Sequence, residues 1–155
     1  MSKVRIMFVC HGNICRSPMA EFVMKDLVAR AGQTDRFEIA SSATSREELG
    51  NPIYPPAQRE LRRRGVPFDV RKRATQLTVD AYDRYDYFVV MDDYNKSNLM
   101  RIFGADPDGK VKKLLDYANG GDVADPWYTD RFDVAFDDIL RGCEAFLAFL
   151  QARFT

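Results

Sequence analysis

Short apolar runs alternate along the chain with longer segments in which apolar residues recur every three or four positions. The run Val4–Cys10 is almost continuously apolar after Arg5, which is typical of a central strand buried on both faces. Further strands are predicted over residues 36–41, 86–91 and 111–115.

The longer segments predict four helices. The first has Ser17 as its N-cap and Pro18 as its first helical residue, and ends near Gly32. Apolar residues at helical spacing lie on one face of this segment. The other helices are predicted from 55 to the stop at Gly65, from the third strand to 103, and over 136–150.

This alternation predicts an α/β fold with one domain, residues 1–155. We expect a three-layer sandwich, in which helices flank a four-stranded parallel sheet on both faces. Ligands of such sheets bind beyond the carboxyl ends of the strands. The loop after the first strand is therefore the first place to search for a site.

Composition narrows the possible partners. The 23 Lys and Arg residues equal the 23 Asp and Glu residues, so no global field favours nucleic acid or an anionic membrane. No apolar run reaches the roughly 18 residues of a membrane span. Three cysteines without metal-ligand spacing predict reduced thiols and no metal. We expect a cytoplasmic protein.

The segment from Cys10 to Ser17 reads CHGNICRS, a cysteine and an arginine separated by five residues, between a buried strand and a helix. A loop that turns into a helix N-terminus points several backbone N–H groups at one spot and can bind a tetrahedral dianion. Gly12 allows a close approach of the backbone to the ligand, and Asn13 tolerates a left-handed conformation.

The same environment gives the loop side chains candidate roles. At a helix N-terminus beside Arg16, we expect Cys10 to be a thiolate at neutral pH. The guanidinium of Arg16 can hold two phosphate oxygens. The Ser17 hydroxyl can donate to the Cys10 sulfur. The alternative is that Cys10 is an inert buried cysteine and Arg16 an ordinary surface arginine. It is weakened because the strand, the Gly, the Asn and the helix start all occur where a phosphate-binding loop needs them.

A later loop, Asp125-Pro126-Trp127-Tyr128, offers a proton donor. A carboxylic acid on the leaving oxygen lets a phosphorylated cysteine form. Asp125 is the candidate, and Trp127 and Tyr128 can flank a flat aromatic substrate. Read from the residues alone, an Asp-Pro turn whose aromatic side chains cover the core is an equally good interpretation.

CHGNICRSPMAE resembles the active-site loop of the low-molecular-weight protein tyrosine phosphatases, and DPWY resembles their general-acid segment. The similarity extends through SSATS, GNPIYPPA and FVVMDD, so it covers nearly the whole chain. The resemblance implies Cys10, Arg16 and Asp125 as the catalytic set, without a cofactor. It implies supporting roles for other residues: the loop residues Asn13 and Ser17, with Ser41 and Asp92 outside the loop.

The resemblance also implies a pocket for the substrate, made of His11, Gly12, Asn13, Ile14, Cys15, Ser17, Trp127 and Tyr128. Two positions depart from the family pattern. His11 stands where an apolar residue is usual, and Lys72 stands at about the place of a histidine that braces the loop asparagine. The resemblance therefore does not extend to pocket selectivity or to the support of Asn13.

The implied activity is hydrolysis of phosphotyrosine in protein substrates, through a cysteinyl-phosphate intermediate, by a monomer that inorganic phosphate inhibits competitively as a product. Arsenate reductase, on the same fold, needs a downstream cysteine pair, and only Cys143 lies downstream. Protein arginine phosphatase resembles the chain but carries Thr in place of Ile14. A binding module without turnover would need neither Cys10 nor Asp125. A last expectation is a regulatory disulfide between Cys10 and Cys15.

Overall fold

Four short parallel strands lie side by side in the order β2-β1-β3-β4 in the computed structural model, which describes residues 2–154. They are β1 (Val4–Cys10), β2 (Phe37–Ala43), β3 (Tyr87–Val90) and β4 (Val111–Lys113). The predicted central place of β1 is confirmed, because it pairs with β2 on one side and β3 on the other.

Within residues 2–154, six helices connect and cover these strands. They are α1 (Arg16–Arg30), α2 (Pro55–Arg63), α3 (Ala81–Arg84), α4 (Asp93–Phe103), α5 (Pro126–Thr129) and α6 (Phe132–Gln151). Short 3-10 turns cover Thr34–Arg36 and Leu114–Tyr117.

The alternating side chains of β1 separate two apolar layers. Ile6 and Phe8 point into the larger core, which α1, α2 and α6 cover. Met7 and Val9 point into the smaller core on the other face, which α3 and α4 cover. The predicted α/β sandwich with helices on both faces of a four-stranded parallel sheet is therefore confirmed.

Two local predictions were wrong, and two short helices were not predicted. Helix α1 begins one residue before Ser17 and has Cys15 as its N-cap, because the Ser17 hydroxyl is engaged by Cys10 instead of a backbone N–H. Strand β4 ends at Lys113, since Leu114 and Leu115 are buried in a 3-10 turn. The short helices α3 and α5 had no counterpart in the prediction.

Candidate active site

The loop between β1 and α1 wraps around the sulfur of Cys10, the last residue of β1. The backbone N–H groups of Asn13 and Ser17 both point at Cys10 Sγ, each at 3.4 Å. Asn13 has φ 60°, the left-handed conformation predicted for it. This geometry stabilises negative charge on the sulfur and on any anion bound above it.

A chain of buried hydrogen bonds fixes the Ser17 hydroxyl. The Asn13 Nδ2 group donates to Ser17 Oγ at 2.8 Å and to Ser41 Oγ at 2.9 Å. Because Ser41 Oγ donates in turn to Glu21 Oε1 at 2.6 Å, it can accept from Asn13. Ser17 Oγ also accepts from Asn13, so its own proton is free to point at Cys10 Sγ, 3.0 Å away.

Lys72, which stands at about the place of the family's bracing histidine, does not itself hold Asn13. Asn13 Oδ1 accepts from the backbone N–H of Thr75 at 3.2 Å, so that backbone group holds the amide. Lys72 acts one step further away. Its Nζ donates to the Ser41 carbonyl oxygen at 2.9 Å and lies 3.6 Å from Glu21 Oε1. Burial lowers the pKa of the Lys72 ammonium, and the charge of Glu21 opposes this.

Glu21 is a site-supporting residue that the sequence analysis missed. It is 5% exposed and is paired with Lys25 Nζ at 2.6 Å as well as with Ser41. The available signal was a carboxylate among the apolar residues of α1, four positions before a lysine.

Arg16 is 2% exposed and meets the acidic residues of two other segments. Its Nη1 donates to Asp92 Oδ2 at 2.7 Å and to the Val123 carbonyl oxygen at 2.8 Å. Its Nη2 donates to Asp125 Oδ2 at 3.3 Å. Burial alone would lower the pKa of this guanidinium, but the nearby Cys10, Asp125 and Asp92 raise it above its ordinary value.

Asp92 and Asp125 are themselves held by the backbone. Asp92 caps α4 by accepting from Asn95 N at 2.7 Å. Asp125 caps α5 by accepting from Trp127 N at 3.0 Å, and Pro126 follows it as the first helical residue. The alternative interpretation of DPWY as a plain Asp-Pro turn accounts for this capping of the backbone. It does not account for the Asp125 carboxylate, which also accepts a hydrogen bond from Arg16.

A single cavity brings most of the predicted residues together. Among its lining residues are the loop members Cys10, His11, Gly12, Ile14, Cys15 and Arg16, with Asp125, Trp127 and Tyr128 from the later loop. Trp127 packs against the ring of Tyr54 at 5.0 Å, while Tyr128 is 84% exposed. The side chains of Asn13 and Ser17, two further predicted substrate-binding residues, are buried and do not line the cavity, whereas their backbone N–H groups point at Cys10 Sγ.

The segment 44–50 adds two residues to this cavity that were not predicted, Glu47 and Glu48. Glu47 Oε2 lies 2.9 Å from His11 Nε2, and the Ser45 hydroxyl donates to the His11 carbonyl oxygen at 2.9 Å. A Cβ at position 12 would lie 3.2 Å from Glu48 Cγ, so Gly12 allows this segment to pack closely on the loop.

Burial affects the thiols of both Cys15 and Cys143. Burial, and after it the charges of Cys10 and Asp125, raise the pKa of the Cys15 thiol, so Cys15 stays protonated. Cys143 is fully buried in α6, and burial raises the pKa of its thiol as well.

Two features are absent from residues 2–154. No group of three or more His, Cys, Asp or Glu side chains is arranged to hold a metal ion. No helix in the same range has the length and apolar character needed to cross a membrane.

Comparison with known proteins places this geometry in context. Residues 5–154 match the family described as low molecular weight phosphotyrosine protein phosphatase. The chain is 38% identical over 151 residues to the low molecular weight protein-tyrosine-phosphatase YfkJ of Bacillus subtilis, with 96% of each chain covered.

Two solved structures are similar throughout. The crystal structure of YfkJ superposes with a TM-score of 0.95, at 37% identity, over 100% of this chain and 99% of the other. The structure of SP-PTP, a low molecular weight protein tyrosine phosphatase from Streptococcus pyogenes, gives a TM-score of 0.87 at 38% identity, over 95% and 93% of the two chains.

Proposed function

Because the chain belongs to the low molecular weight protein tyrosine phosphatase family, we propose that it hydrolyses phosphotyrosine in proteins with Cys10 as nucleophile, Arg16 as phosphate clamp and Asp125 as general acid. One observation carries these assignments. The sulfur of Cys10, beneath two backbone N–H groups, shares one cavity with the guanidinium of Arg16 and the carboxyl of Asp125.

In the first step, Cys10 Sγ attacks phosphorus and the ester P–O bond breaks. The protonated Asp125 carboxyl gives its proton to the leaving phenolate oxygen. Loop N–H groups and Arg16 stabilise the charge on the equatorial phosphoryl oxygens. The sulfur–phosphorus bond formed here makes the cysteinyl-phosphate intermediate.

In the second step, water attacks phosphorus, the Asp125 carboxylate takes up the water proton, and the S–P bond breaks. The hydrogen bond from Ser17 Oγ, 3.0 Å from Cys10 Sγ, stabilises the thiolate as it leaves. Inorganic phosphate is the product. It fits the same N–H cup, so we expect it to inhibit competitively.

The cavity lining favours an aryl phosphate. Ile14, Trp127 and Tyr128 offer apolar and aromatic surface to a ring. Ile14 stands where the arginine phosphatases that resemble this chain carry Thr. Arsenate reduction would require a pair of cysteines downstream of the loop, and the one downstream cysteine, Cys143, is fully buried on α6, away from the cavity lining.

We also propose that the protein is cytoplasmic and monomeric. A thiolate nucleophile works only while it is reduced, as in the cytoplasm. Each of the functional side chains named here comes from one chain, so a monomer suffices.

Phosphate release from phenyl phosphate, phosphotyrosine, phosphoserine and phosphoarginine tests the proposal. We expect turnover of the two aryl substrates and little or none of the others. Equal or faster turnover of phosphoarginine would contradict it, as would arsenate reduction at a rate comparable to aryl phosphate hydrolysis.

A further inference from the structure

The entrance of the active-site cavity carries more negative than positive side chains. Glu47 and Glu48 line it next to His11 and Gly12. The Glu47 side chain is 69% exposed, so its carboxylate is accessible from solvent. Trp127 and Tyr128, also in the lining, are 52% and 84% exposed.

The two carboxylates are held in place. Glu47 is held by His11 Nε2 at 2.9 Å, and its backbone N–H donates to Ser45 Oγ at 3.3 Å. Glu48 accepts from Asn51 Nδ2 at 2.5 Å, while its aliphatic part packs over Gly12. Fixed carboxylates lose less side-chain entropy when a cation binds between them than mobile ones do.

His11 contacts Glu47 within the cavity, but Lys and Arg side chains do not offset these carboxylates there. Arg16 is the one Lys or Arg among the lining residues of the described chain, and it is paired with Asp92 and Asp125. The exposed Arg46 precedes Glu47 but does not belong to the lining.

Two basic clusters of the sequence, residues 62–64 and 71–73, lie elsewhere in the structure. In the 62–64 cluster, Arg63 and Arg64 pair with Glu60, and in the 71–73 cluster Arg71 pairs with Asp69. Neither cluster contributes to the cavity lining.

We propose that Glu47 and Glu48 form a cation-binding subsite beside the phosphate loop, selecting phosphotyrosine flanked by Lys or Arg over phosphotyrosine flanked by Asp or Glu. This inference rests on the proposed phosphatase function and specifies its substrate class. The ammonium or guanidinium of a flanking residue pairs with the carboxylates, and its stem or fork packs on the exposed rings of Trp127 and Tyr128. Acidic flanks meet like charge at the same place.

A pair of phosphotyrosyl peptides tests the subsite. The peptides are identical except that Lys stands on both sides of phosphotyrosine in one and Glu in the other, and kcat/KM is measured for each. We expect the Lys peptide to be favoured about three- to tenfold at low ionic strength, the size expected of a few exposed ion pairs. Raising the salt from about 0.01 M to about 1 M should bring the ratio towards one, since the Debye length falls roughly tenfold.

Charge variants assign the preference to these residues. In E47Q/E48Q the ratio should approach one, and in E47K/E48K it should reverse. E144Q, which removes an exposed carboxylate of α6 outside the cavity lining, is the matched control and should keep the ratio of the parent. A merely structural effect of the substitutions would change both peptides alike and leave the ratio unchanged.

The outcomes separate the two proposals. If phenyl phosphate, which has no flanking residues, is hydrolysed while both peptides react equally in the parent, the subsite is refuted and the phosphatase function stands. A Lys preference that survives unchanged in both double variants also refutes the subsite. If neither phenyl phosphate nor either peptide is hydrolysed, the proposed function fails and the subsite with it.

Discussion

Arg16 Nη2 donates to Asp125 Oδ2 at 3.3 Å, so the candidate phosphate clamp and the candidate general acid are paired with each other. The other terminal nitrogen of Arg16 is held by Asp92 and by the Val123 carbonyl oxygen. A phosphate on the loop must therefore compete with Asp125 for Nη2, while Asp92 keeps the guanidinium in place. The pairing predicts that Asp125 speeds the chemical step but weakens the binding of an oxyanion.

Asp125→Asn should lower kcat for phenyl phosphate by about 10²–10⁴-fold, the usual contribution of a general acid. It should also tighten inhibition by inorganic phosphate, because it removes a negative charge beside the bound dianion. The loss of kcat should shrink for p-nitrophenyl phosphate, whose leaving group needs little protonation. Steady-state kinetics across leaving groups of different pKa, with the phosphate Ki, measure both effects.

Asp130→Asn is the matched control for this prediction. Asp130 lies in the same loop, is exposed, and has φ 59°, a conformation that Asn also tolerates. It should retain the kcat of the parent. A loss of kcat in Asp125→Asn that is the same for every leaving group would show that Asp125 is not the acid.

Cys10→Ser should abolish turnover and keep measurable binding of phosphate or vanadate. The N–H groups of Asn13 and Ser17 and the guanidinium of Arg16 all remain in this variant. Arg16→Lys should weaken both turnover and oxyanion binding, because a point charge cannot hold two oxygens as the planar fork does. Calorimetric titration with phosphate distinguishes the two variants, and substantial turnover by pure Cys10→Ser would remove Cys10 as the nucleophile.

Asn13→Ala should lower kcat far more than Lys72→Met. Removing the Asn13 amide frees the Ser17 hydroxyl and leaves the Thr75 N–H without its partner, at a cost of about 1–3 kcal/mol in folding free energy. Lys72→Met leaves the Asn13 bonds and the bond from Ser41 to Glu21 intact. Denaturant unfolding measures the loss of folding free energy, and steady-state kinetics measure kcat. An equal loss of kcat in both variants would show that Lys72 supports the loop as much as Asn13 does.

The part of the site that follows from the sequence is local. Val4–Cys10 and the left-handed Asn13 lie within one stretch of chain, where short-range patterns determine conformation. The pairing of Arg16 with Asp92 and Asp125 was not predicted, since 76 and 109 positions separate these residues.

Other features could not be predicted because tertiary contacts decide them. The residues from Arg16 to Met24 are all buried, so α1 begins without a solvent face and Glu21 gives no periodic signal. Glu47 and Glu48 read as ordinary polar loop residues. Their place in the cavity depends on contacts of segment 44–50 with His11 and Gly12.

Activity should survive treatment with EDTA. The positive charge available to the phosphoryl group comes from Arg16 and the N–H groups around Cys10. Phosphate release from phenyl phosphate before and after dialysis against EDTA is the measurement. Activity that disappears on chelation and returns with a divalent ion would require a different mechanism of charge stabilisation.

Brief exposure to hydrogen peroxide should inactivate the enzyme reversibly through Cys10 and Cys15. Peroxide oxidises the Cys10 sulfur to sulfenic acid and releases water; attack by Cys15 then forms the S–S bond and releases a second water. Both cysteines lie in the cavity lining, and the loop curls until Ser17 N is 3.4 Å from Cys10 Sγ, so its two ends are close. Cys143, fully buried in α6, is not available for this step.

The surroundings of Cys15 make the formation of this disulfide depend on pH. Burial, and next the charge of Cys10, raise the pKa of Cys15, so little of the attacking thiolate exists at neutral pH and its amount grows as pH rises. The fraction of activity that a thiol reductant restores should therefore increase with pH, and bound phosphate should slow the inactivation. In Cys15→Ala the damage should become largely irreversible, whereas Cys143→Ala, the matched control, should recover like the parent; equal recovery in both variants would show that Cys15 is not the resolving thiol.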